Sequence, residues 1–157
     1  MSVECQTKHK EKVIIIGVGN VLRRDDGVGV HVIKALEDTI LPNGVEVYDG
    51  GLGGFKLLDL IESMKKVIFI DAIEMGLPPG TVKAFLPQEA TSLLATQKCS
   101  LHNSDLLEVI KFAEKLDNAP EIKIVGVQPA NVEPGLELSV SVKDSIPQVI
   151  QTVVDII

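Results

Sequence analysis

The stretch VIIIGVGNVLRRDDG, residues 13–27, decides the fold. Val13 to Ile16 are four β-branched residues with no polar alternation, the pattern of a strand covered on both faces. Gly17 and Gly19 turn the chain, and helical spacing begins near Asp26. Strand, glycine turn and helix in that order form the opening unit of a parallel α/β fold.

The unit nearly spells a dinucleotide-binding fingerprint. That signature wants glycine at the first, third and sixth positions of the turn, so that backbone can approach a pyrophosphate and the helix can pack closely on the sheet. Gly17 and Gly19 fill the first two, but Leu22 stands at the sixth. A phosphate also needs positive potential at the helix start, where this chain carries Asp25 and Asp26. The loop suits a cation better than an anion. A nucleotide- or flavin-binding module of Rossmann or flavodoxin type remains an alternative, without the sixth-position glycine or a Walker lysine.

Further strands follow outward from this unit. Val67 to Ile70 and Ile122 to Val127 repeat the unbroken apolar pattern, and Val45 to Tyr48 follows the break Pro42-Asn43-Gly44. Thr81 to Leu86 follows Pro78-Pro79-Gly80 and alternates more clearly, as an edge strand does. Val28, Val32, Ile33 and Leu36 share one face of a helix ending before Pro42. Phe55, Leu58 and Ile61 mark a second helix. Leu106, Val109, Ile110 and Ala113 mark a third, with Asn103 or Ser104 as its N-cap. About Lys143 to Ile157 forms a fourth, in which Pro147 is tolerable only near the first turn. The expected architecture is a single-domain three-layer α/β sandwich, with a mostly parallel twisted sheet of about five strands and helices on both faces. The domain spans residues 12–157, behind a flexible polar N-terminus, residues 1–11.

Composition narrows the partners. At 157 residues and 45% apolar content the chain can bury a full core without disulfide or metal staples. Cys5 and Cys99 read as reduced thiols, and no apolar run is long enough for a signal sequence or membrane span, so the expected location is the cytoplasm. A formal charge of −7 disfavours nucleic acid and anionic membranes.

In an open parallel sheet, ligands sit beyond the carboxyl ends of the strands, where the strand order reverses. Asp25 and Asp26 follow the first strand, Asp49 with Gly50, Gly51, Gly53 and Gly54 the second, and Asp71 the third. With strand order 2-1-3, Asp26 and Asp71 face one crevice, and His102 lies in a long connection able to fold over it. Two carboxylates and an imidazole make a three-ligand set of borderline hardness, with positions left for water or substrate. Each residue also has a plainer reading. Asp25 or Asp26 suits a helix N-cap, Asp71 a turn former, His102 a surface or capping residue, and the glycines a tight turn. Cys99, three residues before His102, is a weak metal signal without a second such pair.

The segments GVGNVLRRDDGVGV (17–30), YDGGLGG (48–54), VIFIDAI (67–73), SLHNSDLLEVI (100–110) and VGVQPANVEPGLELS (125–139) together resemble the hydrogenase maturation proteases. The resemblance runs from Val13 to about Ile150. It implies an endopeptidase that trims the C-terminal extension from the large-subunit precursor of a nickel-iron hydrogenase, the expected partner. It assigns the metal-contacting and catalytic positions to Asp26, Asp71 and His102, and the substrate cleft to Asp49, Gly50, Gly51, Gly53 and Gly54. The first of those ligand positions is often glutamate in the family, and aspartate here is one methylene shorter. The implied cofactor is nickel supplied by the substrate, with zinc or cadmium as other divalent ions for the same donors. Two chemistries stay open: nickel polarises the carbonyl or activates water, or a carboxylate acts as general base, as in an aspartyl peptidase, with the metal used for recognition. A non-catalytic metal carrier or assembly chaperone would use the same ligands. HExxH and GxSxG motifs and an evident cysteine-histidine-acid set are absent from the chain.

Overall fold

The structure, a computed structural model, describes residues 12–95 and 101–157, with side chains described for all but 94, 95 and 101–105. The polar tail 1–11 and both cysteines lie outside the described residues.

The first unit runs from β1 (Val13–Val18) through a 3-10 turn (Arg24–Gly27) into α1 (Val28–Glu37). Next come β2 (Val45–Gly51), a short 3-10 turn (Gly54–Lys56), α2 (Leu57–Ile61) and β3 (Lys66–Ala72). The chain then forms β4 (Val82–Phe85), α3 (Pro87–Ala95), α4 (Leu101–Glu114), β5 (Glu121–Val127) and α5 (Val140–Ile156). The sheet order is β2-β1-β3-β5-β4, parallel throughout except for β4, which pairs antiparallel with β5 at one edge. The order 2-1-3 at the centre and the edge position of β4 agree with the reading of the sequence.

Alternation along the strands divides the core into two layers, because successive side chains point to opposite faces. Ile14, Ile16, Val67, Phe69, Ile122 and Ile124 pack with Leu57, Ile61, Ala90, Leu106, Val109 and Ile110 on the side of α2, α3 and α4. Ile15, Ile68, Ile70, Val125 and Val127 pack with Val28, Val32, Ile33, Val142, Val149 and Val153 on the side of α1 and α5. Helices therefore cover both faces of a single α/β domain. This is why the inner strands carry hardly a polar residue.

Three boundaries differ from expectation. The segment after β4 forms α3, whose only wholly buried described anchor is Ala90, a residue too small to mark a helical stripe. Helix α4 begins at Leu101, so the backbone of Asn103 and Ser104 is already helical and neither is the N-cap. Helix α5 begins at Val140, which puts Pro147 in its interior rather than its first turn. Both Lys143 and Pro147 are exposed, so the helix tolerates the missing Pro147 N–H on its solvent side.

Candidate functional site

The centre of the site is set by how closely α1 rests on the sheet. A Cβ on Gly17 would stand 2.2 Å from the Gly29 carbonyl oxygen, and one on Gly29 would stand 2.3 Å from that of Ile70. Gly29 thus performs the close helix-to-strand packing that a nucleotide fingerprint assigns to its sixth-position glycine. Leu22, which holds that position, is 61% exposed. The first helix meets β1 and β3 at backbone contact, so the loop before it is pressed against the strand ends.

Within that loop the two aspartates divide their roles. Asp25 is fully buried and accepts hydrogen bonds from the backbone N–H groups of Ala130 (2.9 Å), Asn131 (2.9 Å) and Ser139 (2.8 Å) and from the Ser139 hydroxyl (2.8 Å). Its hydrogen-bonding capacity goes into holding the segment after β5. Asp26, also buried, accepts a bond from the Asn20 N–H at 3.0 Å. Neither side chain caps a helix: the α1 N-cap is Gly27, with no side-chain cap bond there or at the preceding 3-10 turn. The N-cap reading of Asp25 or Asp26 is thereby set aside.

Asp71 is the penultimate residue of β3, opposite Gly126 of β5. By alternation it points to the α2 and α4 side, as Phe69 does. Burial pushes its carboxyl well above the usual range, the nearby Asp26 charge pushes it further, and a hydrogen bond from the Ala72 backbone opposes both. The fold thus sets Asp26 near enough to Asp71 for its charge to act on that carboxyl, although the two are far apart in sequence. No ion pair described in the structure reaches either of them.

A small cleft opens beside Asp71. Val18, Leu57, Leu106 and Val109 make its apolar walls, and Gly19, Gly51, Leu52 and Gly54 complete the lining. Two residues of the expected glycine loop, Gly51 and Gly54, are thus at the cleft, both at positive φ. Asp49, Gly50 and Gly53 are not among its lining residues. Asp49 is exposed, while Gly50 is buried where a Cβ would meet Ile16 Cγ2 at 2.7 Å. The Gly53 N–H donates to the Gly50 carbonyl at 2.7 Å, which closes the turn. His102 falls in the first turn of α4, four positions before Leu106 of the cleft wall, and its side chain lies outside the described residues. Among the described residues no group of three histidine, cysteine or acidic side chains is gathered.

Sequence reasoning missed two further residues here. Ser139 meets Asp25 across the loop, as described above. Gln128, 3% exposed, accepts from the Met75 (2.6 Å) and Leu77 (3.3 Å) N–H groups and donates to Glu74 Oε2 (2.9 Å) and the Pro129 carbonyl (3.1 Å). It fastens the connection after β3 to the end of β5. The signal available was a glutamine and a serine inside the segment 125–139, where an apolar strand ends in a proline-rich loop.

Comparison with known proteins identifies the family and the fold. The family profile described as "HycI: Hydrogenase maturation protease" matches residues 30–156. The chain is 33% identical over 145 residues to the hydrogenase 2 maturation protease of Escherichia coli, covering 90% of this chain and 88% of that protein. It is 32% identical to the hydrogenase expression/formation protein HupD of Thiocapsa roseopersicina, covering 89% of this chain but 65% of that longer relative. The solved structure of the hydrogenase maturating endopeptidase HybD from E. coli superposes with a TM-score of 0.84 at 32% identity, covering 92% of this chain and 91% of that one. The chain belongs to the hydrogenase maturation protease family, a family of peptidase hydrolases.

Proposed function

We propose that this protein is an endopeptidase that removes the C-terminal extension from the large-subunit precursor of a nickel-iron hydrogenase after nickel insertion, in the cytoplasm. Nickel held by the substrate is recognised by Asp26, Asp71 and His102. The observation that carries the reading is the burial of two neighbouring carboxylates at the strand-order reversal with no described basic partner. Buried like charges of this kind are unfavourable unless one is protonated or a cation joins them.

The donor set fits that cation. Two carboxylates and an imidazole suit a borderline divalent ion, and the His102 backbone stands in α4 four positions before Leu106 of the cleft wall. Nickel so placed would polarise the scissile carbonyl or lower the pKa of a water. The chain's own contribution begins with Asp71, whose carboxyl burial and the Asp26 charge bias toward the protonated form and whose proton a cation engaging the pair would displace. Freed, the carboxylate can bind the cation or take a proton as general base. The walls of Val18, Leu57, Leu106 and Val109 limit water around Asp71, and the glycines at 51 and 54 present no side chain to the cleft.

The test is incubation with a precursor large subunit, with and without nickel, followed by mass measurement of the released C-terminal peptide. Nickel-dependent release is expected. Tight divalent-metal binding with no peptide released would instead indicate a metal carrier or assembly chaperone, and tight dinucleotide binding a nucleotide module.

A further inference from the structure

We propose that Asp25 is the positioning residue for Asp26: by anchoring its own carboxylate to the segment 130–139, it fixes the turn that aims Asp26 at Asp71. The inference deepens the reading of Asp26 as part of the nickel-recognising site and rests on it.

Asp25 takes four hydrogen bonds from three residues more than a hundred positions away, and it has no exposed surface. Its backbone joins the same attachment. The Asp25 N–H donates to the Asn131 carbonyl at 3.1 Å and the Arg24 N–H to the Gly135 carbonyl at 3.0 Å, while the Gly135 N–H donates to the Leu22 carbonyl at 2.9 Å. The Arg23 Nε–H reaches the Val132 carbonyl at 3.1 Å. The whole turn is laced to one loop.

The turn needs that lacing. Arg24 sits at φ 49°, the only non-glycine residue with positive φ among the described residues. A side-chain-bearing residue stays in the left-handed region only when its surroundings over-determine it. Gly135 leaves space for the Arg24 guanidinium, since a Cβ there would stand 2.6 Å from Arg24 Nε. The next residue along the 3-10 turn is Asp25, and the one after it is Asp26. The Asp26 side chain by contrast has one described hydrogen bond, from the Asn20 N–H. With so little holding its own side chain, its direction follows from the backbone that Asp25 secures.

The Asn20 amide is therefore the reporter. In Asp25→Asn the side chain keeps its shape but turns an NH2 group toward donors, and hydrogen exchange followed by NMR reads the result site by site. Positioning predicts that the Asn20 amide exchanges about tenfold faster or more, the factor expected when a hydrogen bond to a carboxylate is lost. Ser139→Ala, which removes one donor and leaves the three backbone bonds, gives a smaller increase in the same amide and keeps the variant folded. A role confined to holding the 130–139 loop predicts faster exchange at Ala130, Asn131 and Ser139 with Asn20 unchanged, and that result in both variants overturns the proposal.

Cadmium titration by calorimetry supplies the second readout. If Asp25 acts through Asp26, Asp25→Asn and Asp26→Asn each weaken binding, and the double variant is no weaker than Asp26→Asn alone. Additive losses overturn the proposal. A wild-type protein that neither binds cadmium nor processes precursor, yet shows the Asn20 response, would refute the site reading and leave the positioning intact.

Discussion

Burial first and the charge of Asp26 second hold the Asp71 carboxyl well above its ordinary value. The sign of the stability effect follows. A group whose pKa is higher folded than unfolded favours the folded state while protonated, and that contribution is lost as pH rises from the unfolded value through the folded one. Asp71→Asn is expected to melt higher than wild type at pH 8, with the difference shrinking toward pH 4. For a domain of this size each kcal/mol corresponds to about 2–4 °C. Melting curves across that range check it, and a variant less stable than wild type at pH 8 would contradict the assignment.

The same proton makes cation binding pH-dependent. Divalent ions must displace it, so affinity for cadmium or zinc rises as pH increases through the raised Asp71 value. Calorimetry in buffers of different ionisation enthalpy measures the proton released. Binding that does not change with pH, and releases no proton, would place the ion elsewhere.

Substitution at the three proposed positions separates chemistry from structure. Asp26→Asn retains an oxygen for the Asn20 N–H, and since Asp26 caps no helix the capping loss of about 1 kcal/mol does not apply. Asp26→Asn, Asp71→Asn and His102→Ala should each lower precursor processing by at least about 100-fold, the lower end for a lost acid-base or ligand group. Circular dichroism should show an unchanged fold. Full processing by all three would end the case for the site.

How much of this was legible depends on what each residue had to signal. Ile14 to Ile16 and Val67 to Ile70 announce the central strands because burial on both faces leaves no polar residue among them. Asp26 and Asp71 were readable as a pair because a parallel sheet sends its strand ends to one edge. The division between Asp25 and Asp26 was not, since adjacent identical residues differ only in what folds against them. Ser139 lies more than a hundred residues from Asp25, beyond any local pattern. Helix α3 escaped notice because Ala90 buries too little surface to stand out, and Gly29 because its role is to lack a side chain where α1 crosses β3.

That crossing gives a contrast between two glycines. In Gly17→Ala the new methyl meets the Gly29 carbonyl oxygen at 2.2 Å and Gly29 carbonyl carbon at 2.5 Å, both backbone, so α1 must lift from the sheet. The expected cost is about 3 kcal/mol, the upper end for overpacking, with processing reduced because Asp26 travels with the helix start. In Gly54→Ala nothing lies within 4 Å of the new methyl and the strain is that of φ 52° alone, about 1 kcal/mol. Denaturant unfolding of both variants tests the ranking. Equal losses would mean that α1 yields without cost.

Pro147 offers a stabilising change. It stands inside α5 and withholds the N–H that would bond to the Lys143 carbonyl one turn earlier, while Val142, Val149 and Val153 keep the helix on the sheet. A proline in a helix interior costs about 3 kcal/mol, and replacing it returns about 1 kcal/mol of freedom to the unfolded chain. Pro147→Ala should therefore gain about 2 kcal/mol and raise the melting temperature by about 4–8 °C. Both Pro147 and Lys143 are exposed, so no core contact is lost. Processing should be unchanged, because the substitution touches neither the cleft nor Ser139 at the helix N-cap. A lower melting temperature would show that α5 packs correctly only when bent at this residue.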